Sequence, residues 1–546
     1  MSNIQDRSVT AEAELAGEFD AVIVGAGFAG LYMLHRLRGL GLSVRVYEAG
    51  SGVGGTWYWN RYPGARCDTE SMEYSFSFSD DLQQEWSWSE RYASQPEILR
   101  YSNHVADRFD LRRDIQFETR VASAVFDDVT GRWEIQTDKG ERVLAQFCVM
   151  ATGCLSSGQV PAFEGLDTFK GEWYHTGNWP HEGVDFSGKR VGVIGTGSSG
   201  IQSIPLIARQ AAHLYVFQRT PNFSIPAWNG PLDPEHEQEV KANYAERRQT
   251  ARTSRRGYVI SFNERSALEA APEERQREYE SRWLDGGLHM LTAFNDLYTS
   301  KEANDTAAEF VHAKIRETVH DPEVAERLLP RDHPIGSKRI CVDTAYYETY
   351  NRENVTLVDL RETPIEKITA HGLQAGNVPY ELDAIVFATG FDAMTGALFN
   401  IDIRGRNGTR LKEKWADGPR TFLGLATAGF PNLFTVTGPG SPSVLSNMMV
   451  SIEQHVDWIA ECVEYLCERD IRSIEATVDA ENGWVEHVND VAYSTLYPQA
   501  NSWYMGANIP GKPRIFLPYV GGVGAYRQKC SDVAAKGYQG FELRHL

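Results

Sequence analysis

Asp20-Ala21-Val22-Ile23-Val24-Gly25-Ala26-Gly27-Phe28-Ala29-Gly30 decides the fold. DAVIVG is an apolar run that reads as a buried parallel strand. The glycines after it open a helix with apolar residues at helical spacing, and LSVRVYE returns as a second strand ending in Glu48. A strand, glycine turn, helix and strand from Phe19 to Gly50, with an acid about twenty residues past the glycines, is the dinucleotide-binding fingerprint. Gly25 permits the tight turn, Gly27 lets backbone approach a pyrophosphate at the positive helix end, and Gly30 allows close helix-strand packing, with Phe28 and Ala29 beginning the helix. Glu48 would accept hydrogen bonds from ribose hydroxyls, and its charge disfavours a 2′-phosphate, so this unit suits FAD or NAD and not NADP.

A second unit runs from Lys189 to Arg219: KRVGVIG, the turn Gly195-Thr196-Gly197-Ser198-Ser199-Gly200, a helix, and the strand HLYVFQR. That strand ends in Gln218-Arg219-Thr220 instead of an acid, and a guanidinium there pairs with the 2′-phosphate of NADP. The chain thus reads as α/β, with two Rossmann-like dinucleotide-binding domains, for FAD and NADP, built on parallel sheets covered on both faces. ASAVFDD, RWEIQTD and RVLAQFCVMATG suggest a small antiparallel sheet and a return strand. ELDAIVFATG repeats the pattern of FCVMATG, an apolar strand ending in Ala-Thr-Gly. Residues 233–330, rich in Glu, Arg and Ala, read as helical. The expected division is a leader without order over 1–18, an FAD-binding domain from 19–154 and 391–546, an NADP-binding domain from 155–228 and 331–390, and a helical insertion over 229–330.

A chain of 546 residues exceeds one ordinary core, and 42% apolar with 23% charged residues is a soluble globular composition. No run of apolar residues is long enough to span a bilayer, and the N-terminus does not read as a signal peptide, so a cytoplasmic location is expected. The formal net charge of −20 disfavours nucleic acid and anionic membrane as partners. The 7 cysteines include no CxxC pair, which argues against a disulfide framework, a thiolate metal site, or a redox disulfide beside the first unit, and no metal is expected.

Phe169-Lys170-Gly171-Glu172-Trp173-Tyr174-His175-Thr176-Gly177-Asn178-Trp179-Pro180 fits FxGxxxHxxxWP, just before the second glycine turn. Gly54-Gly55-Thr56-Trp57 through Tyr62-Pro63-Gly64-Ala65-Arg66-Cys67-Asp68 fits GGxWxxxxYPGxxxD. These are the fingerprints of type I Baeyer-Villiger monooxygenases, and the chain resembles that family over nearly its whole length. VGVIGTGSSGIQ, GPGSPS and the Trp-Tyr of NSWYMGAN look closest to its phenylacetone and steroid monooxygenase branch. The resemblance implies that NADPH reduces FAD, that oxygen adds at the flavin C4a carbon, and that the resulting peroxide attacks a ketone to give an ester or lactone. It assigns Arg339 as the cation that stabilises the peroxide and its adduct, where an arginine stays charged and a buried lysine would not. Asp68 is implied to pair with Arg339, and Lys338 and Thr220 to join Arg219 on the 2′-phosphate. Gly55, Thr56, Trp57 and Tyr74 are expected near the flavin. Trp503 resembles the lid over the nicotinamide, and Leu155, Val444, Leu445 and Met448 resemble the cavity lining, Met448 also touching cofactor. Phe169, Gly171, His175 and Trp179 form the fingerprint, where His175 is read as a structural coupling between the two units. Cys154 stands where the branch is expected to carry a polar amide.

The expected partners are a small ketone and O2; the oligomeric state is left open. Two other readings use the same nucleotide folds: a flavin monooxygenase that oxidises nitrogen or sulfur, and a non-catalytic flavoprotein that senses NADPH.

Overall fold

A computed structural model describes residues 15–545 of the chain. The leader expected over 1–18 lies outside the described residues through position 14. Its last four positions belong instead to the strand Leu15–Val24, whose pairing with Arg142–Met150 begins at Leu15.

The first glycine turn sits at the centre of an eight-stranded mixed sheet. Leu15–Val24 is flanked in parallel by Val44–Tyr47 and Arg142–Met150. Residues Trp133 to Gln136 of Arg132–Thr137 pair antiparallel with Arg142–Met150, whose last three residues pair in parallel with Leu433–Thr435. The antiparallel strands expected as a small separate sheet are therefore the continuation of the nucleotide-binding sheet. One nine-residue strand is long enough to serve both, because its C-terminal half is buried on both faces while its N-terminal half alternates.

The second turn sits in a five-stranded, wholly parallel sheet ordered Val355–Asp359, His213–Gln218, Arg190–Ile194, Ala384–Phe387, Glu172–His175. Glu172–His175, which carries the central histidine of the FxGxxxHxxxWP stretch, is its edge strand. Between residues 229 and 330 the chain forms the α-helices Pro234–Ala242, Tyr244–Thr253, Pro272–Asp285, Lys301–Thr318 and Pro322–Leu328. They divide between the two cores: Val240 and Tyr244 join the core of the first sheet. Tyr279, Trp283, Phe310 and Ile315 join that of the second. Each such aromatic withdrawn from water contributes roughly 1.5–3 kcal/mol, so the segment is anchored at both ends and is not a free-standing layer. No helix among the described residues is long and apolar enough to cross a membrane.

Candidate active site between two nucleotide-binding units

The two glycine turns are built alike. Gly25 has φ +105° and Gly195 φ +111°, which strains any side chain. A Cβ at Gly25 would stand 2.5 Å from the Ala151 carbonyl oxygen, and one at Gly195 would strike that of Ala388. Each first glycine is thus pressed against the alanine of an Ala-Thr-Gly return strand, which explains why that tripeptide occurs twice. A Cβ at Gly30 would collide with the carbonyl oxygen of Gly25, and one at Gly200 with that of Gly195. Gly30 therefore serves mainly the closure of its own turn; the nearest strand-side atom is the Ala151 Cβ at 3.7 Å. The helices Phe28–Gly39 and Ser198–Gln210 start from Gly27 and Gly197 without a side-chain cap. Their first N–H groups and positive dipole ends are thereby left for an anion.

The strands that follow end differently. Glu48 is buried, and its carboxylate accepts from the Ala26 N–H at 2.7 Å and the Gly50 N–H at 2.7 Å. Burial pushes its pKa up, and those N–H groups oppose the shift. Glu48 braces the turn from behind while its side chain still lines the cavity in front. Arg219 is exposed, and Lys338 stands close enough for the two charges to repel. Burial pulls the Lys338 ammonium below its usual pKa; Asp332 opposes this and Arg219 adds to it. Neither cation forms a salt bridge among the described residues. Thr220 adjoins them, its carbonyl taken by the Thr196 hydroxyl at 3.0 Å. Two neighbouring cations without a salt-bridge partner among the described residues suit a dianionic phosphate.

Between the units lies a cavity of about 860 Å³ whose lining includes Gly25, Gly27, Glu48, Gly55, Asp68, Ser198 and Arg339. Arg339 donates from Nε to Asp68 at 2.6 Å, from Nη2 to the other Asp68 oxygen at 2.8 Å, and from Nη1 to the Val444 carbonyl at 2.5 Å. Burial opposes the guanidinium charge and the Asp68 carboxylate outweighs it, holding the Arg339 pKa well above its ordinary value. The cation stays charged and fixed, with its remaining surface toward the cavity.

The segment that carries Asp68 is fastened to the second unit by residues the sequence reading did not single out. The Tyr62 hydroxyl donates to Gln202 at 2.8 Å, and the Gln202 amide donates to the Arg66 carbonyl at 3.2 Å. Gly64, at φ +85°, lies so close that a Cβ would strike the Gln202 backbone oxygen. Tyr62 belongs to the YPG of one fingerprint and Gln202 follows the second glycine turn, so both were in view, but nothing in their spacing shows that they meet. The two fingerprints also touch: the Trp179 N–H donates to the Trp59 carbonyl at 3.4 Å.

The remaining expected residues fall into three places. Phe28, Ala29, Thr56, Trp57, Tyr74, Leu155, Val444, Met448 and Trp503 line the cavity, and the Trp57 indole donates to the Tyr74 hydroxyl at 3.1 Å. His175 also lines it, with Nδ1 accepting from the Gly177 N–H at 3.0 Å and Nε2 buried without a partner among the described residues; burial pushes its pKa down, against the Gly390 and Gln159 backbone. Phe169 and Gly171 lie away from it, at the edge of the second sheet against Asp383. Leu445 lines a separate small pocket behind the cavity wall, with Arg255, Arg256 and Tyr298. Cys67 and Cys154 face the cavity as free thiols, which burial pushes up to about 12 and about 11.

Two nucleotide-binding units sharing one cavity, with a permanent cation at the seam, define a two-nucleotide oxidoreductase. The model of the pyridine nucleotide-disulphide oxidoreductase family matches residues 22–281. A Baeyer-Villiger monooxygenase of Pseudooceanicola batsensis is 46% identical over 529 residues, 96% of each chain. A steroid monooxygenase solved in oxidised form with NADP is 57% identical, with a TM-score of 0.93, and the match covers 97% of this chain and 100% of that one. The OTEMO complex with FAD and NADP is 42% identical with a TM-score of 0.93, over 96% of this chain and 99% of that one. The chain belongs to the Baeyer-Villiger monooxygenase family.

Proposed function

We propose that the chain is an FAD- and NADPH-dependent monooxygenase that uses O2 to insert one oxygen atom beside a ketone carbonyl, giving an ester or lactone. FAD, when bound, supplies the electrons that activate oxygen. The first unit would hold it: the uncapped helix at Gly27 would take the pyrophosphate and Glu48 the ribose, and Gly55, Thr56, Trp57 and Tyr74 of the cavity lining would serve its ring. The second unit would hold NADPH through Gly195 to Gly200, with Arg219, Lys338 and Thr220 on the 2′-phosphate and Trp503 covering the nicotinamide. The domain division fits this assignment: 19–154 with 391–546 for FAD, 155–228 with 331–390 for NADP, and 229–330 packed on both.

The observation that carries the reading is the bidentate Asp68–Arg339 pair facing the cavity. Oxygen insertion develops negative charge on oxygen next to the carbonyl. Arg339 offers a preorganised donor there, Asp68 keeps it aimed and charged, and the apolar wall of Leu155, Val444 and Met448 accepts the hydrocarbon and excludes water. Trp179 ties the second unit to the first at Trp59. The free cysteines suit a reducing compartment and support a cytoplasmic location.

The test is NADPH consumption in air by the FAD-loaded protein with phenylacetone, with mass spectrometry of the product. Ketone-dependent consumption with one added oxygen is expected. Release of hydrogen peroxide alone across a ketone panel, with amines or sulfides oxygenated instead, would replace this reading by heteroatom oxidation.

A further inference from the structure

Behind the Leu445–Ser446 wall lies a second, small pocket lined by Arg255, Arg256, Tyr298, Leu445, Ser446 and Tyr497 among others, with no carboxylate in its lining among the described residues. Arg255 is exposed and Arg256 half-buried, and neither forms a salt bridge among the described residues. Both guanidiniums lie over the ring of Tyr298, at 5.9 and 4.4 Å from its centre. Among the described residues no group accepts from the buried Tyr298 hydroxyl, and the Arg256 guanidinium is the group that stands beside it. A buried hydroxyl without an acceptor beside two uncompensated cations costs free energy until something accepts from it and balances the charge. In a chain with a formal net charge of −20, two adjacent arginines without a carboxylate partner stand out.

The pocket measures about 20 Å³, room for a group the size of one water or one carboxylate oxygen and too small for a phosphate. It abuts the main cavity, since Ser446 lines both. Burial pushes the Tyr504 hydroxyl up while the charges of Arg339 and Arg256 both pull it down, so Arg256 and Arg339 flank the same side chain.

We infer that Arg255, Arg256 and Tyr298 form an anion subsite that selects ketones carrying a terminal carboxylate, the carbonyl resting near Arg339 and the carboxylate against Arg256 and the Tyr298 hydroxyl. This rests on the proposed oxygen insertion, whose chemistry it leaves unchanged. Arg256 and Tyr298 here determine specificity and take no part in the reaction itself.

The experiment compares 6-oxoheptanoate with its methyl ester in the FAD-loaded wild type and in Arg256→Met, Arg256→Lys and Tyr298→Phe. The acid-to-ester ratio of kcat/KM is expected to fall about tenfold to a hundredfold in Arg256→Met, the worth of a charge-assisted hydrogen bond, and to recover in part in Arg256→Lys. A second readout needs no turnover: hexanoate should raise the Tm of the wild type and not that of Arg256→Met. An equal ratio and an equal Tm shift in wild type and Arg256→Met would overturn the subsite. If the wild type oxygenates neither the ester nor phenylacetone, the functional reading has failed, and the hexanoate shift alone still decides whether the anion site exists.

Discussion

The two nucleotide-binding units share a turn and differ at one strand end. In both, a first glycine at φ near +110° presses on an Ala-Thr-Gly strand, and a last glycine admits no Cβ because the turn's own carbonyl occupies the space. Past the helix, one strand ends in a buried carboxylate that holds two backbone N–H groups and the other in an exposed guanidinium beside a half-buried lysine. The shared part is fixed by backbone sterics, which allow one solution. The differing part is a single charge, and it separates the two ligands.

The comparison breaks most severely at the shared part. Gly30→Ala and Gly200→Ala each force a backbone carbonyl aside, at a cost of more than about 3 kcal/mol. Gly30→Ala is expected to purify without flavin absorbance, whereas Gly200→Ala should keep its flavin and fail to be reduced by NADPH; if both lose both ligands, the units are not independent. At the seam, Arg339→Ala should lower ester formation about a hundredfold or more, with flavin reduction by NADPH retained in stopped-flow traces. At the differing strand end, Arg219→Ala should raise KM for NADPH by about tenfold and leave NADH unaffected, a modest effect because the guanidinium is exposed. An equal loss with NADH would remove the 2′-phosphate from the argument.

The smallest effect belongs to Glu73, outside both turns. Burial and, next, the Glu70 charge raise its carboxyl to about 7, against the Val259 N–H and the cations of Arg247 and Arg248. A raised folded pKa means stability that is full below the ordinary carboxylate range and is lost as pH rises through about 7. Glu73→Gln lacks that loss, so its Tm should gain on the wild type by a few degrees between acid and neutral pH. A difference independent of pH would show that the carboxyl titrates normally.

Both units were legible from their glycines, because a strand, a turn and a helix within about thirty residues are local and their sterics are written in sequence. The Asp68–Arg339 pair came only through the family resemblance, since nothing in the sequence itself shows that two charges 271 positions apart meet. What stayed hidden was made of contacts between distant segments. Gln202 holds Tyr62 and Arg66 across more than a hundred positions. The nine-residue strand Arg142–Met150 joins what read as two sheets, since an apolar run does not announce its neighbours. Leu445 follows Val444 yet faces another pocket, because the one-turn 3-10 helix Ser443–Leu445 sends successive side chains to different sides.

The buried thiols have a consequence for service life. Reactive oxygen escaping an air-consuming cavity attacks thiolates far faster than thiols. Cys67 and Cys154 line that cavity and Cys341 adjoins Arg339, and burial keeps all three protonated through neutral pH, pushed up to about 12, about 11 and about 12. The thiols that line the cavity are thereby held in their least reactive form, and oxidative ageing should begin at the half-buried Met448 thioether and the exposed Cys467.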